Sequence, residues 1–443
     1  MAKLVYDDTG RLLFTREMKE EYTLLMPQML PVHFGMMKKL LECEGFRVDM
    51  LTTNHRGIVD EGLKYVHNDT CYPALLVIGQ LIDAVKHGGY DPHKVGLLIT
   101  QTGGGCRASN YIHLLRKALE KADMAYIPVV SVNLSGLEKN PGFSLTLPFV
   151  RKAVYAMMYG DIIVNVANQV RPYEVNPGDA DAMTSAWSQR LVDGFQAGKG
   201  MSRKQMRANF DAICADFARI PVAGEPKIRV GVVGEIYVKF APLGNNNLEK
   251  FLLSEGVEPV VPGLTDFIIF KIYNRVADVE LYGGKWGKKA ACTLFMRYIE
   301  ACQRDMIAAL ESSGRFRAPG TFQQLHSLVQ GYLGDGNKMG EGWLLTAEML
   351  ELIHSGTSSI VCNQPFGCLP NHIVGKGMIR RLKDDYPDSN IVAIDYDPGA
   401  TKINQENRIK LMLANAKGLT RQESAVPRPP RPETKPQLAH AHS

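Results

Sequence analysis

Short apolar runs that alternate with helical segments constrain this chain most, because they predict parallel sheets covered by helices on both faces. In the first third of the chain the runs are TLLMP, FRVDMLT, KVGLLIT and YIPVVSVN, with helical patterns between them. After about residue 226 the alternation resumes with IRVGVVGEIYV, VEPVVPG, TSSIVC and SNIVAIDYD. We therefore predict an α/β protein with two α/β lobes and mostly parallel sheets.

Changes of pattern along the 443 residues divide the chain further. Residues 1–147 are expected to form a first α/β lobe and residues 148–224 a helical connecting layer. A second α/β lobe is predicted for 225–416, with a helical insertion near 288–313. The last part, 417–443, contains AVPRPPRPETKPQLAHAHS and has too few apolar residues to fold, so we predict a flexible Pro-rich tail.

Composition and charge argue against several classes of protein. The formal net charge of +5 is spread along the chain, which does not indicate a nucleic-acid partner. No window approaches the roughly 18 apolar residues of a membrane span, and the start MAKLVYDDTGRLLF does not resemble a secretory signal. We therefore expect a cytoplasmic protein with no membrane partner, whose eight cysteines are thiols or metal ligands rather than disulfides.

The cysteines fall into two groups. Four lie on apolar stripes of predicted helices, where free cysteine packs as a small apolar residue: Cys43, Cys214, Cys292 and Cys302. The other four are predicted at connections, since Cys71 and Cys106 precede helices, Cys362 ends the run SSIVC, and Cys368 follows in a loop. Ligands of open α/β sheets bind at the carboxyl ends of the strands, and helix N-termini favour thiolates. These four are the candidate metal ligands.

The glycines before Cys106 have two interpretations. Gly103, Gly104 and Gly105 in TGGGCRAS would let the backbone approach a cluster closely and donate hydrogen bonds to its sulfur atoms. They could instead bind a phosphate, although the segment lacks the Lys-Ser/Thr pair of a nucleotide P-loop. We favour the first interpretation and count these glycines among the cofactor-binding candidates.

Two further alternatives use the last third of the chain. Cys362 and Cys368 could bind zinc, but their spacing is wider than usual and no second close pair accompanies them. The segment IVAIDYDPGATK imitates the phosphate loop of actin-like ATPases, yet too little chain follows it to form the domain that such a loop opens. Asp395 and Asp397 are therefore interpreted as polar residues at the end of a strand.

Four other polar residues are candidates for the site. His67 precedes Cys71 and could donate a proton, although the residues beside it could simply cap the next helix. Glu235 follows the strand VGVVG and could act as a base, with a solvated loop carboxylate as the alternative. His372 and Lys376 lie near Cys368 and could contact an anionic ligand such as a coenzyme A phosphate.

Five stretches resemble the activase-related proteins of the 2-hydroxyacyl-CoA dehydratase superfamily, which also includes double-cubane iron-sulfur proteins. They are KYVHNDTCYPALLVIGQ, LITQTGGGCRASNYIHLLRKAL, VGVVGEIYVKFAPLGNNNLEKFL, CNQPFGCLPNHIVGKGMIRRL and IVAIDYDPGATKINQENRIKLML. They match in order from about residue 20 to residue 415. The resemblance implies Rossmann-like lobes and an iron-sulfur cluster.

In such relatives about three cysteines from different lobes bind the cluster, and an ATP-hydrolysing activator supplies single electrons. Carried onto this chain, the ligands are Cys71, Cys106 and Cys362, with Cys368 as a possible fourth. A single 4Fe-4S cubane is favoured, because a double cubane would be expected to need about six cysteines. The resemblance also implies an acyl-CoA-like or other small substrate and a homo- or heterodimer.

Three functions follow from this interpretation. The first is oxygen-sensitive one-electron chemistry at low potential on the small substrate, as in a dehydratase-like lyase or a reductase component. The second is a non-catalytic electron-transfer or accessory protein that partners the activator, with all four cysteines as ligands. The third, less favoured, is the ATP-binding activase itself.

Overall fold

The computed structural model describes residues 2–67, 69–100, 105–132 and 138–425, with side chains up to residue 417. The described residues form these strands: β1 (Val5–Tyr6), β2 (Leu12–Leu13), β3 (Thr23–Pro27), β4 (Arg47–Leu51), β5 (Val95–Thr100), β6 (Val129–Val132), β7 (Arg229–Gly234), β8 (Glu258–Val260), β9 (Ser359–Pro365) and β10 (Asn390–Tyr396).

The helices of the described residues are α1 (Arg16–Glu21), α2 (Pro31–Cys43), α3 (Arg56–Tyr65), α4 (Tyr72–His87), α5 (Tyr111–Lys121), α6 (Leu147–Val170), α7 (Asp179–Gln196), α8 (Arg203–Ala218), α9 (Ile236–Phe240), α10 (Pro242–Asn245), α11 (Leu248–Ser254), α12 (Leu264–Tyr282), α13 (Trp286–Ser312), α14 (Phe322–Val329), α15 (Leu344–His354), α16 (Ile379–Asp385) and α17 (Lys402–Ala425).

Two four-stranded sheets form the centre of the molecule, and every strand pair within them is parallel. The first sheet has the order β4-β3-β5-β6 and the second has the order β10-β9-β7-β8. Counted along each lobe, both orders are 2-1-3-4, so the two lobes share one strand arrangement. The α/β prediction with parallel sheets is confirmed.

Helix α4 joins the two lobes through the core. Its residues from Tyr72 to Val85 are all buried, and Pro73 lies in its first turn, where a missing amide hydrogen costs nothing. Leu76 and Ile78 of this helix belong to the same apolar cluster as Leu97 of β5 and Val361 of β9. A largely apolar helix must be buried, and α4 packs on β3 and β4 of the first sheet, with α3 and α5 beside it and α10 of the second lobe against it.

The helical connecting layer packs on the first lobe through a buried ionic contact. Asp161, in the middle of α6, accepts hydrogen bonds at 2.9 and 2.8 Å from the amides of Leu264 and Thr265, which begin α12. His33 of α2 contacts the same carboxylate at 2.8 Å through Nε2. One carboxylate therefore connects three helices.

Several boundaries differ from the sequence predictions. Strand β9 runs to Pro365, three residues past Cys362, because its pairing with β10 continues as far as Tyr396. Helical structure around the expected insertion begins at α12, well before residue 288. Helix α17 extends through Ala425, beyond the predicted start of the tail, and residues 426–443 of that tail lie outside the described residues. Among the helices described, none is long and apolar enough to cross a membrane.

Candidate metal centre

The candidate site lies where the strand order of both sheets reverses. In a 2-1-3-4 sheet this point is between the first and third strands, which are β3 and β5 in the first lobe and β7 and β9 in the second. The chain leaving β5 leads to Cys106, the chain leaving β7 begins with Glu235, and the chain leaving β9 leads to Cys368. Crevices at such reversal points are the usual ligand sites of α/β proteins.

Cys71 meets the loop after β9 directly. It precedes the first turn of α4, and the amide of its neighbour Tyr72 donates a 2.9 Å hydrogen bond to the carbonyl of Phe366. Gly367 has φ +70°, and a Cβ added there would lie 3.0 Å from the Cα of Cys71. The backbones of the two lobes are thus in close contact between Cys71 and Cys368.

Cys106 borders a glycine-rich loop that precedes α15. A Cβ added to Gly340 would lie 3.9 Å from the Cβ of Cys106 and 2.9 Å from Cγ of Pro370. A Cβ added to Gly105 would overlap the sulfur of Met339. This loop therefore contacts both the Cys106 turn and Pro370, which follows Cys368.

Tyr111 contacts the sulfur of Cys71. Its hydroxyl oxygen lies 2.9 Å from Sγ, and burial keeps the pKa of this phenol well above its usual range. Because a thiolate has no proton to give, Tyr111 is the donor whenever Cys71 is ionised. Hydrogen bonds of this kind stabilise thiolate ligands and tune the potential of a cluster.

The three thiols share one electrostatic environment. Burial raises the pKa of Cys71 to about 11, against the hydrogen bond from Tyr111, and Glu235 and Cys106 raise it further. Burial also raises the pKa of Cys106 and of Cys368, and the pKa of Cys368 is raised further by Glu341, Glu235 and Cys71. Without a cation these thiols stay protonated, whereas a bound metal would replace their protons.

Glu235 and Glu341 form a buried carboxyl pair beside the thiols. Glu235 accepts a 2.9 Å hydrogen bond from the amide of Val238, and Glu341 accepts one of 3.1 Å from the amide of Ile236. Burial and the neighbouring Glu341 raise the pKa of Glu235 to about 8, and burial raises the pKa of Glu341 as well. Burial therefore favours the protonated form of both carboxyl groups.

Lys271 of α12 is a buried cation at this site. Its Nζ donates a 3.0 Å hydrogen bond to the carbonyl of Gly340. Burial lowers the pKa of Lys271, while Glu341 and Cys106 favour its charged form. Lys271 is therefore a basic group close to both Glu341 and Cys106.

Cys362 lies within β9, three residues before the strand ends, whereas the sequence predicted it at the strand end. It is the central residue of β9, fully buried, and packs with Val233, Met349, Leu382 and Ile391 in a separate apolar cluster. Burial raises the pKa of its thiol to about 12. The polar residues Asn363 and Gln364 extend the strand beyond the apolar run, which is why the run SSIVC misplaced its end.

The other predicted side chains of the site are His67, His372 and Lys376, and each makes local contacts. His67 is exposed, and its Nδ1 accepts a 3.2 Å hydrogen bond from the amide of Asp69. His372 lies next to the Cys368 turn, with Nδ1 2.8 Å from the Cys368 carbonyl. Lys376 is half exposed and pairs with Asp395 at 3.2 Å. Gly103 and Gly104 lie outside the described residues.

The segment that imitates a phosphate loop has a local structural role. The Oδ1 of Asp397 accepts hydrogen bonds of 2.7 and 2.9 Å from the amides of Gly399 and Ala400, which forms the turn before α17. Asp395 pairs with Arg408 of α17 at 3.2 Å as well as with Lys376. Both carboxylates thus stabilise the end of β10.

The described side chains include no group of three or more His, Cys, Asp or Glu residues close enough to share one metal ion. The residues whose chemistry would suit a cluster are the thiols Cys71, Cys106 and Cys368, which come from separate segments of the two lobes. The Sγ of Cys71 lies 2.9 Å from the hydroxyl oxygen of Tyr111.

Glu341, Lys271 and Tyr111 are site residues that the sequence analysis missed. Glu341 had one usable signal, since it lies between Gly340 and Gly342 in MGEGW, and both glycines have positive φ values of 58° and 48°. Such a pair indicates a tight loop built to position the residue between them. Lys271 and Tyr111 lie within ordinary helical patterns and carried no signal.

No protein-family model matches this sequence, and no curated protein matches it either. The likeness to the dehydratase superfamily therefore rests on the quoted motifs, and it enters the function only as a proposal.

Proposed function

We propose that this chain is an iron-sulfur protein that binds a 4Fe-4S cluster through Cys71, Cys106 and Cys368. The observation that carries the proposal is the convergence of these three thiols, from both lobes, at the point where the two sheets reverse their strand order. This ligand set replaces Cys362 by Cys368, because Cys362 packs inside the second lobe.

Three protein ligands leave one iron of a cubane without a protein ligand. When bound, the cluster would supply one electron at low potential and a Lewis acid for a substrate oxygen. Side chains of this protein would stabilise the ligands and supply protons. Tyr111 would stabilise the Cys71 thiolate, and Glu235 with Glu341 would store a proton for the substrate.

The substrate and the electron donor belong to the same proposal. An acyl-CoA-like or other small substrate would enter beside the loop after β9, where His372 and Lys376 could contact an anionic group. An ATP-dependent activator would supply electrons, and a homo- or heterodimer is the form that the resemblance implies. We propose a cytoplasmic, anaerobic setting, because exposed iron of this kind is oxygen-sensitive.

The second candidate function is electron transfer without catalysis, which requires a fourth protein ligand. Cys362 is the remaining predicted ligand, and its burial within β9 disfavours this role. An ATP-binding activase is disfavoured because Asp397 already completes a local turn. Of the three functions, the dehydratase-like one is therefore the best supported.

The test is iron and acid-labile sulfide analysis with electron paramagnetic resonance on anaerobically reconstituted protein. We expect about four iron and four sulfide per chain, with most of both lost in Cys71→Ser, Cys106→Ser and Cys368→Ser. Cys362→Ser should keep its cluster, and Cys214→Ser, buried away from the site, serves as the matched control. Colourless protein that binds only zinc would contradict the proposal, and loss of the cluster in Cys362→Ser would favour the electron-transfer alternative.

A further inference from the structure

Buried charged residues continue from the candidate metal centre into the second lobe. Lys239 of α9 and Glu348 of α15 form an ion pair of 2.7 Å, with each side chain only 4% exposed. Isolated charges are expensive to bury, and replacing a buried ion pair with apolar residues often leaves stability unchanged or raises it. A pair this deep next to a reactive site therefore suggests a functional role.

The pair lines a small cavity together with Glu341, which lies beside the thiols. The cavity has room for about one water molecule, and its charged wall consists of Glu341, Lys239 and Glu348. Its remaining wall is largely apolar, with Phe240, Phe267 and Leu344. A water molecule there would lie among the two carboxyl groups and the ammonium group.

A third carboxylate, Glu351, lies beyond Glu348 on the side away from Glu341 and nearer the surface. Glu351 follows Glu348 by three residues on the same face of α15, a spacing that brings side chains together. Its Oε1 accepts a 3.1 Å hydrogen bond from the amide of Gly320, in the half-buried segment before α14. Gln324 of that helix is exposed, so this end of the series lies near solvent.

We propose that Glu351, the Lys239–Glu348 pair and Glu341 form a proton path between solvent near Gly320 and the candidate metal centre. This inference rests on the proposed function for its purpose, since a site that receives electrons needs protons to balance them. A proton would enter at Glu351, pass to Glu348, cross the cavity through one water molecule and reach Glu341. Each carboxylate that releases a proton takes one from the group behind it, so one proton leaves solvent and one arrives at the site.

The charged surroundings are compatible with this role. Lys239 holds Glu348 in position through the 2.7 Å ion pair, so that this carboxylate lies between Glu351 and the cavity. Other titratable groups face this path from the elements packed around it. They are Asp266 and Lys271 of α12, Glu235, Cys106, Cys368 and Cys362.

The test uses cluster-free protein, so that it does not depend on iron. Infrared difference spectra against Glu341→Gln identify the carboxylic acid band of Glu341, and transfer to D2O measures how fast that proton exchanges. We expect rapid exchange in the natural protein and exchange about tenfold slower in Lys239→Met/Glu348→Met, equivalent to about 1.4 kcal/mol of activation free energy. Glu351→Gln, at the half-buried end, should slow exchange without endangering the fold.

The matched control is Lys402→Met/Glu406→Met, which removes a surface ion pair of 3.5 Å on α17. The exchange rate of the Glu341 proton should be unchanged in this variant. Small diffusible acids such as formic acid should restore exchange in the double variant, which a merely structural role would not allow. Unchanged exchange in both path variants, with the fold intact, would overturn the path. Because no step needs a cluster, that failure is distinct from a failure to bind iron.

Discussion

The amide of Tyr72 donates a 2.9 Å hydrogen bond to the carbonyl of Phe366, which fixes the first turn of α4 in one lobe to the loop after β9 in the other. Two of the proposed ligands, Cys71 and Cys368, flank this bond. Their approach is therefore a property of the backbone and does not depend on flexible side chains.

Gly367→Ala tests this contact. Gly367 has φ +70°, and the added Cβ would lie 3.0 Å from the Cα of Cys71, so strain and overlap both act against the variant. We expect a loss of about 1–3 kcal/mol in the free energy of unfolding, measured by urea denaturation of cluster-free protein, together with reduced iron binding. Gly256→Ala is the control, since Gly256 has φ +75° but nothing within 4 Å of its Cβ position. Equal losses of unfolding free energy in both variants would mean that the contact between the lobes does not stabilise the protein.

Tyr111→Phe removes the hydrogen bond to the Cys71 sulfur. A bond of this kind contributes about 1 kcal/mol, so the pKa of Cys71 should rise and its thiolate population should fall about fivefold. The measurement is the rate of Cys71 alkylation in cluster-free protein between pH 7 and 10, by mass spectrometry of its peptide. Tyr126→Phe, which stacks on His93 instead, should leave the rate unchanged. An unaltered rate in Tyr111→Phe would show that the bond is absent in solution.

Asp266→Asn should change how stability depends on pH. Burial raises the pKa of Asp266 to about 8 from an ordinary value near 3.8, although Gln303 donates a hydrogen bond to it at 2.6 Å. A carboxyl group with a raised folded-state pKa stabilises the protein most below its unfolded pKa, and this contribution is lost as pH rises toward 8. Between pH 4 and 8 the natural protein should lose at least about 1.4 kcal/mol relative to Asp266→Asn, in urea unfolding of cluster-free protein. Parallel pH profiles would contradict the prediction, and the exposed Asp384→Asn is the control.

Asp161→Asn should weaken the attachment of the helical layer. The carboxylate accepts bonds from two α12 amides and contacts His33, and an asparagine can satisfy only part of this set. We expect a loss of about 3 kcal/mol in the free energy of unfolding, the cost typical of breaking a buried ionic contact. Asp211→Asn, exposed on α8, should change stability by less than about 0.5 kcal/mol. A similar effect of both substitutions would show that Asp161 does not connect these helices.

The strands and their parallel arrangement followed from the apolar runs, because a strand buried on both faces must be apolar throughout. The end of β9 did not, since Asn363 and Gln364 are fully buried polar residues within the strand. Their amides have partners that only the folded chain supplies, such as the Val238 carbonyl for Asn363. Local polarity therefore gave the wrong boundary for β9.

By itself, the sequence determined the fold class, the positions of most helices and strands, and the side of the sheets where Cys71, Cys106 and Cys368 lie, because burial and chain direction are local properties. Only the tertiary structure brought the turns of Cys71 and Cys106 into contact with the loops around Cys368 and Glu341, and placed Lys271 and Tyr111 beside them. The physical reason is that a site at the contact of two lobes depends on distances between segments far apart in the chain, which no local pattern encodes.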